Sequence, residues 1–129
     1  MPEVKDTRFG EYVRVMIERK GTSMNECARV LGISSSQMSN VVNGIVTSFS
    51  DQNLANLALF LELDDEETKI LYNFEALVRG SIPRDVVHAL LDNPTWVPFI
   101  RHISSFPIEE QSLLLASVYT ETNTKRKGK

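Results

Sequence analysis

Apolar residues recur along this chain at intervals of three and four, and no stretch alternates apolar with polar residues long enough to suggest a strand. Phe9, Val13, Met16 and Ile17 fall on one side of a first predicted helix, about 7–20, which Gly21 ends as a left-handed cap. Two shorter runs follow. Ser23 and Glu26 form an S-x-x-E capping box ahead of Cys27, Ala28 and Leu31, and Ser34 and Gln37 form an S-x-x-Q box ahead of Met38, Val41 and Val42. Asn43-Gly44 closes the third helix. Ser50 is placed to cap a fourth through Leu54, Leu57, Ala58 and Leu61. Asp64 and Glu67 are placed to cap a fifth through Ile70, Leu71, Phe74 and Leu77 to Gly80.

Beyond Gly80, Pro83, Pro98 and Pro107 each stand at or near the start of an apolar run, marking three more helices. The last ten residues, TETNTKRKGK, have no apolar face and are expected to be disordered. The pattern therefore predicts an all-α chain in three parts: a five-helix domain over 1–80, a small helical extension over 81–120 and a basic tail over 121–129.

Composition adds bounds. At 129 residues with 42% hydrophobic content, the chain suits one globular unit with a small appendage. Its longest apolar run, Leu57 to Leu61, is far short of the ~20 residues of a membrane span, and its first residues lack a signal-peptide core. A cytoplasmic protein without membrane partners is expected. One cysteine, Cys27, excludes an internal disulfide and a cysteine-rich metal site. The net charge of −3 hides an uneven distribution: residues 1–50 sum to +1, 51–83 to −5 and 84–129 to +1. The acidity lies around LDDEET, which leaves the N-terminal third free to approach a polyanion.

The third helix has the face most in need of explanation. With Met38, Val41 and Val42 inward, Ser35, Ser36, Ser39, Asn40 and Asn43 point outward with Gln37 at the edge, and no acid stands among them. Small hydroxyls let a helix enter the major groove, and the amide of Asn or Gln matches an adenine edge. The capped starts of the second and third helices offer backbone N–H groups together with Asn25 and Ser34, and Thr47 lies beyond the turn.

Between the two short helices, Ala28 is small where the helices cross, Gly32 four residues later permits a left-handed turn, and Ile33, Met38 and Val41 lock the pair. Over residues 7 to 79 the chain resembles the lambda-repressor-like helix-turn-helix family, also called Cro/repressor or XRE, which carries this spacing and an N-G turn like Asn43-Gly44. The resemblance implies sequence-specific binding to a double-stranded DNA operator and transcriptional regulation, usually repression, by a homodimer. It implies base reading by Ser35, Ser36, Gln37, Ser39, Asn40 and Asn43, and phosphate contacts from Asn25, Ser34, Thr47 and a lysine, for which Lys20 is the candidate. Two departures are visible. Met24 stands where the family often has Gln, and Ile17 and Val42 stand where it commonly pairs Arg with Glu. Replacing both members of a buried ion pair by packed hydrophobes is often neutral or stabilising.

Enzymatic readings lack support in the motifs. His88 and His102 are isolated, no nucleophile sits in a marked turn, and the acidic run lacks a calcium-loop pattern. No cofactor, metal or small-molecule ligand is expected. Trp96, Phe99, Ile103, Leu114 and Val118 supply the extension with more apolar surface than it can hide, which points to a dimer interface. An antitoxin-type module, neutralising a partner protein and regulating its own operon, is the alternative.

Overall fold

The computed structural model describes residues 6–45 and 49–127, with side chains through 123. Among the described residues it is all-helical, with eight helices: α1 (Arg8–Lys20), α2 (Met24–Leu31), α3 (Ser35–Val42), α4 (Asp51–Phe60), α5 (Asp65–Arg79), α6 (Arg84–Asp92), α7 (Trp96–Ser104) and α8 (Ile108–Lys127). None of them is long and apolar enough to cross a membrane. The chain forms two compact units, Met1–His88 and Ala89–Lys129.

The first unit is built from capped starts and an apolar centre. Ser23, Ser34, Ser50 and Asp64 each accept the backbone N–H three residues on, so each of α2 to α5 has an orphan donor satisfied at its first turn. The reciprocal half of the capping box is present in α3 and α5. It is missing in α2, where Glu26 turns to Arg29 instead. Gly32 sits at φ 69°, the left-handed conformation the tight α2–α3 turn requires. Phe9, Val13 and Ile17 of α1, Cys27 and Leu31 of α2, Met38 and Val42 of α3, Leu54 and Leu57 of α4 and Leu71 of α5 close one buried cluster. Ile17 and Val42 are thus both in that core. Burial pushes the Cys27 thiol above its ordinary value, so it serves as a small protonated core group.

Polar ties fix the outer helices to this centre. Arg19 pairs with Glu67, joining the end of α1 to the start of α5, and its guanidinium holds the Glu67 carboxyl below its ordinary value. Glu75 of α5 is fully buried; its Oε2 accepts from Arg79 Nε at 2.7 Å and lies 3.6 Å from Arg84 Nη2. Arg84 also donates to Asp51 Oδ1 and to the Phe49 carbonyl, both at 2.9 Å, and His88 Nε2 is 3.2 Å from Asp51 Oδ2. These contacts draw the first half of α6 into the first unit. The boundary therefore falls after His88, inside α6, rather than at residue 80 where the glycine suggested it.

In the second unit, Trp96 packs edge-on against Phe99 and His102 against Phe106. Gln111 Nε2 donates to the Phe106 carbonyl at 2.7 Å, closing the α7–α8 turn. Helix α8 runs through Lys127, across residues 121–127 that the pattern left outside any helix. Once a helix is nucleated, each added residue gains a hydrogen bond at little cost, and no glycine or proline interrupts residues 108–127. Thr122 Oγ1 donates to the carbonyls of Val118 and Tyr119 along this stretch.

Candidate nucleic-acid interface

The surface of α3 is fixed before anything binds it. Its start is held by the reciprocal Ser34–Gln37 box, with N–H to oxygen distances of 3.0 and 3.1 Å. Its inner face is sealed by Met38, Val41 and Val42. Two polar links then bracket the outer face. At one end Ser35 Oγ donates to Asn25 Oδ1 at 2.9 Å, tying the first turn of α3 to the first turn of α2. At the other, Asn43 Nδ2 donates to Ser39 Oγ at 3.2 Å while Asn43 Oδ1 accepts from Arg14 of α1.

These links sort the residues the sequence singled out. Gln37 Oε1 is held by the Ser34 N–H, and it is the acceptor that two-point pairing with an adenine edge would use. Ser35, Ser39 and Asn43 are engaged in the brackets. Ser36 and Asn40 have side chains that make no hydrogen bond among the described residues, and they stand four apart on one face of the helix. The polar run thus resolves into a frame of four residues around two unoccupied ones. Asn40 is half-buried and Ser36 exposed.

The phosphate candidates divide as well. Asn25 and Ser34 lie at the starts of α2 and α3, beside one another through Ser35. Thr47 lies outside the described residues. Lys20 belongs to another neighbourhood: its ammonium is 3.2 Å from Glu62 and sits 5.1 Å from the centre of the Phe60 ring, at the α4–α5 turn. Met24 is half-buried against the core.

Sequence reasoning overlooked Arg14. Within residues 6–88, Arg8, Arg19, Lys20, Arg29, Lys69, Arg79 and Arg84 each lie against a carboxylate. Arg14 alone among the described lysines and arginines of that stretch has a neutral partner, Asn43. No local spacing marks it: Arg14 is one of several outward residues of α1, and its partner Asn43 is set by the fold.

The predicted interface residues of the second unit remain uncovered. Trp96 is 47% exposed, Phe99 49%, Leu114 41% and Val118 56%, with Ile103 half-buried. A groove on this unit is lined by Phe106, Glu110, Leu113, Leu114 and Ser117. Among the described residues no group of three His, Cys, Asp or Glu side chains is set to hold a metal ion.

Comparison of the chain with protein-family models, with curated proteins and with solved structures finds no match.

Proposed function

We propose that the first unit is a lambda-repressor-like DNA-binding domain and that the protein is a sequence-specific transcriptional regulator, acting as a repressor on a double-stranded operator. The observation that carries this reading is the outer face of α3. It is a rigidly capped helix free of acids, with small hydroxyls around two side chains, Ser36 and Asn40, that have no partner within the described residues. An ordinary solvated helix face gains stability from charged pairs three and four residues apart, and this one carries none. A surface made small, uncharged and stiff suits the major groove, where an asparagine amide both donates to and accepts from an adenine edge. Selection of bound DNA from a random pool tests the reading; recovery of no enriched sequence would refute sequence-specific binding.

Asn40 is assigned the main base contact. Asn40→Ala is expected to weaken operator binding by about 1–3 kcal/mol and to relax preference at one base pair. Binding to scrambled DNA at the same salt, and the melting temperature, are expected to stay near wild type. Equal losses on operator and scrambled DNA would instead make Asn40 a phosphate contact.

The exposed apolar residues of α7 and α8 are assigned to a homodimer contact. Leu113, Leu114 and Leu115 are consecutive in α8, so their side chains spread over most of its circumference, and all three are exposed. Exposed apolar side chains gathered on one short segment ordinarily mark an interface. Sedimentation is expected to give a dimer at micromolar concentration, with Leu114→Glu shifting it to monomer. A palindromic operator would then place its half-site centres about 34 Å apart. Co-purification of a different chain in place of the second copy would favour the antitoxin-type reading.

A further inference from the structure

Duplex DNA is a dense line of negative charge, and affinity for it comes largely from cations that displace its counterions. The base-reading face described above has none. The lysine the sequence offered, Lys20, is drawn to Glu62 and Phe60. A cation already neutralised by a carboxylate must give up that partner before it gains a phosphate, so most of the positive side chains in residues 6–88 contribute little net attraction. Arg14 differs from all of them in having an amide as its partner.

Its placement matters as much as its charge. Arg14 stands on α1 but reaches the last turn of α3 through Asn43, and Asn43 is oriented by its own hydrogen bond to Ser39. The amide oxygen occupies one of the five guanidinium N–H donors. The remaining donors are free to take a phosphate oxygen pair in the forked geometry that arginine favours. At the opposite end of the helix, Asn25 and the N-terminus of α2 offer only neutral donors.

We propose that Arg14 is the charged anchor of the interface, binding a backbone phosphodiester beside the C-terminal end of α3, with Asn43 as its positioning residue. This rests on the DNA-binding reading above. A competing structural role exists, because a cation near a helix C-terminus also stabilises the helix dipole. Loss of that role would lower stability without changing how binding depends on salt.

The test is the salt dependence of binding of the full chain to a mixed-sequence B-DNA duplex. Four proteins are compared: wild type, Arg14→Gln, Arg14→Lys and Arg29→Gln. Arg29→Gln removes the same unit of charge from a side chain paired with Glu26. Arg14→Gln is expected to make the slope of log K against log salt shallower by about one, the signature of one lost phosphate contact. Arg14→Lys is expected to keep most of the slope, and Arg29→Gln all of it, with melting temperatures recorded for each. Wild-type slope in Arg14→Gln, or an equal change in Arg29→Gln, would overturn the assignment of Arg14 and leave the DNA-binding reading standing. Absence of salt-dependent duplex binding by the wild type would overturn both.

Discussion

Gly10→Ala is expected to destabilise the first unit by about 3 kcal/mol, although alanine is the better helix former by about 1 kcal/mol. Gly10 is buried in the first turns of α1, where that helix crosses the end of α3. A methyl group built there would lie 1.6 Å from the Val42 carbonyl oxygen, 2.8 Å from its carbon and 3.3 Å from Val42 Cγ1. The first two atoms are backbone, so no rotamer relieves the overlap, and the helices must move apart by more than an ångström. That movement would open gaps around Phe9 and Val13, and a packed interior loses its contacts outright when gaps appear. Urea denaturation followed by circular dichroism measures the cost; Glu11→Ala, the exposed neighbour, is expected within about 0.5 kcal/mol of wild type. Because this crossing sets the pose of α3, Gly10→Ala should also weaken DNA binding under conditions where the protein remains folded. Stability at or above wild type in Gly10→Ala would show that α1 and α3 do not approach this closely.

Gly10 also shows where reading the sequence stops. The helices of the first unit were legible because their signals are local: Ser34 and Gln37 are three residues apart, and Asp64 and Glu67 repeat the arrangement. The polar face of α3 was legible for the same reason, since three inward residues leave the others outward. Gly10, by contrast, looks like a weak point in an amphipathic helix until Val42, thirty-two positions away, is laid across it. Arg14 looks like one more surface charge until its neighbours are known to be paired and it is not. Which cations are spent depends on contacts across the fold, such as Lys20 with Glu62, that no periodicity encodes. The end of α8 failed differently. Absence of an apolar face does not imply absence of a helix, because continuation of an existing helix needs only that nothing breaks it.

Glu75 belongs with the residues that only the fold explains, and its removal is expected to have the largest effect in the chain. On α5 it follows Phe74 and precedes Ala76, where a glutamate would ordinarily face water; here its side chain is 0% exposed. The reason is the pair of guanidiniums that close over it, Arg79 from the same helix and Arg84 from α6. Each also serves a second element: Arg79 donates to the Ile82 carbonyl in the α5–α6 connection, and Arg84 to the Phe49 carbonyl and to Asp51 at the start of α4. Glu75→Ala would leave the largely buried Arg79 guanidinium without its carboxylate, while Arg84 keeps Asp51, a change that costs about 3–5 kcal/mol when one partner of a buried pair is lost. The pair is less costly to lose than the carboxylate alone, because the penalty comes from the cation left behind. Once Glu75 is absent, Arg79→Met should therefore cost far less than it does in the wild type, giving a strong coupling between the two positions. Urea denaturation of both single variants and the double measures that coupling, and hydrogen exchange across residues 84–88 should quicken in Glu75→Ala as α6 loses its hold on α5. A cost below about 1 kcal/mol for Glu75→Ala, the range of an exposed ion pair, would mean that the carboxylate sits in solvent and that something else fastens α6.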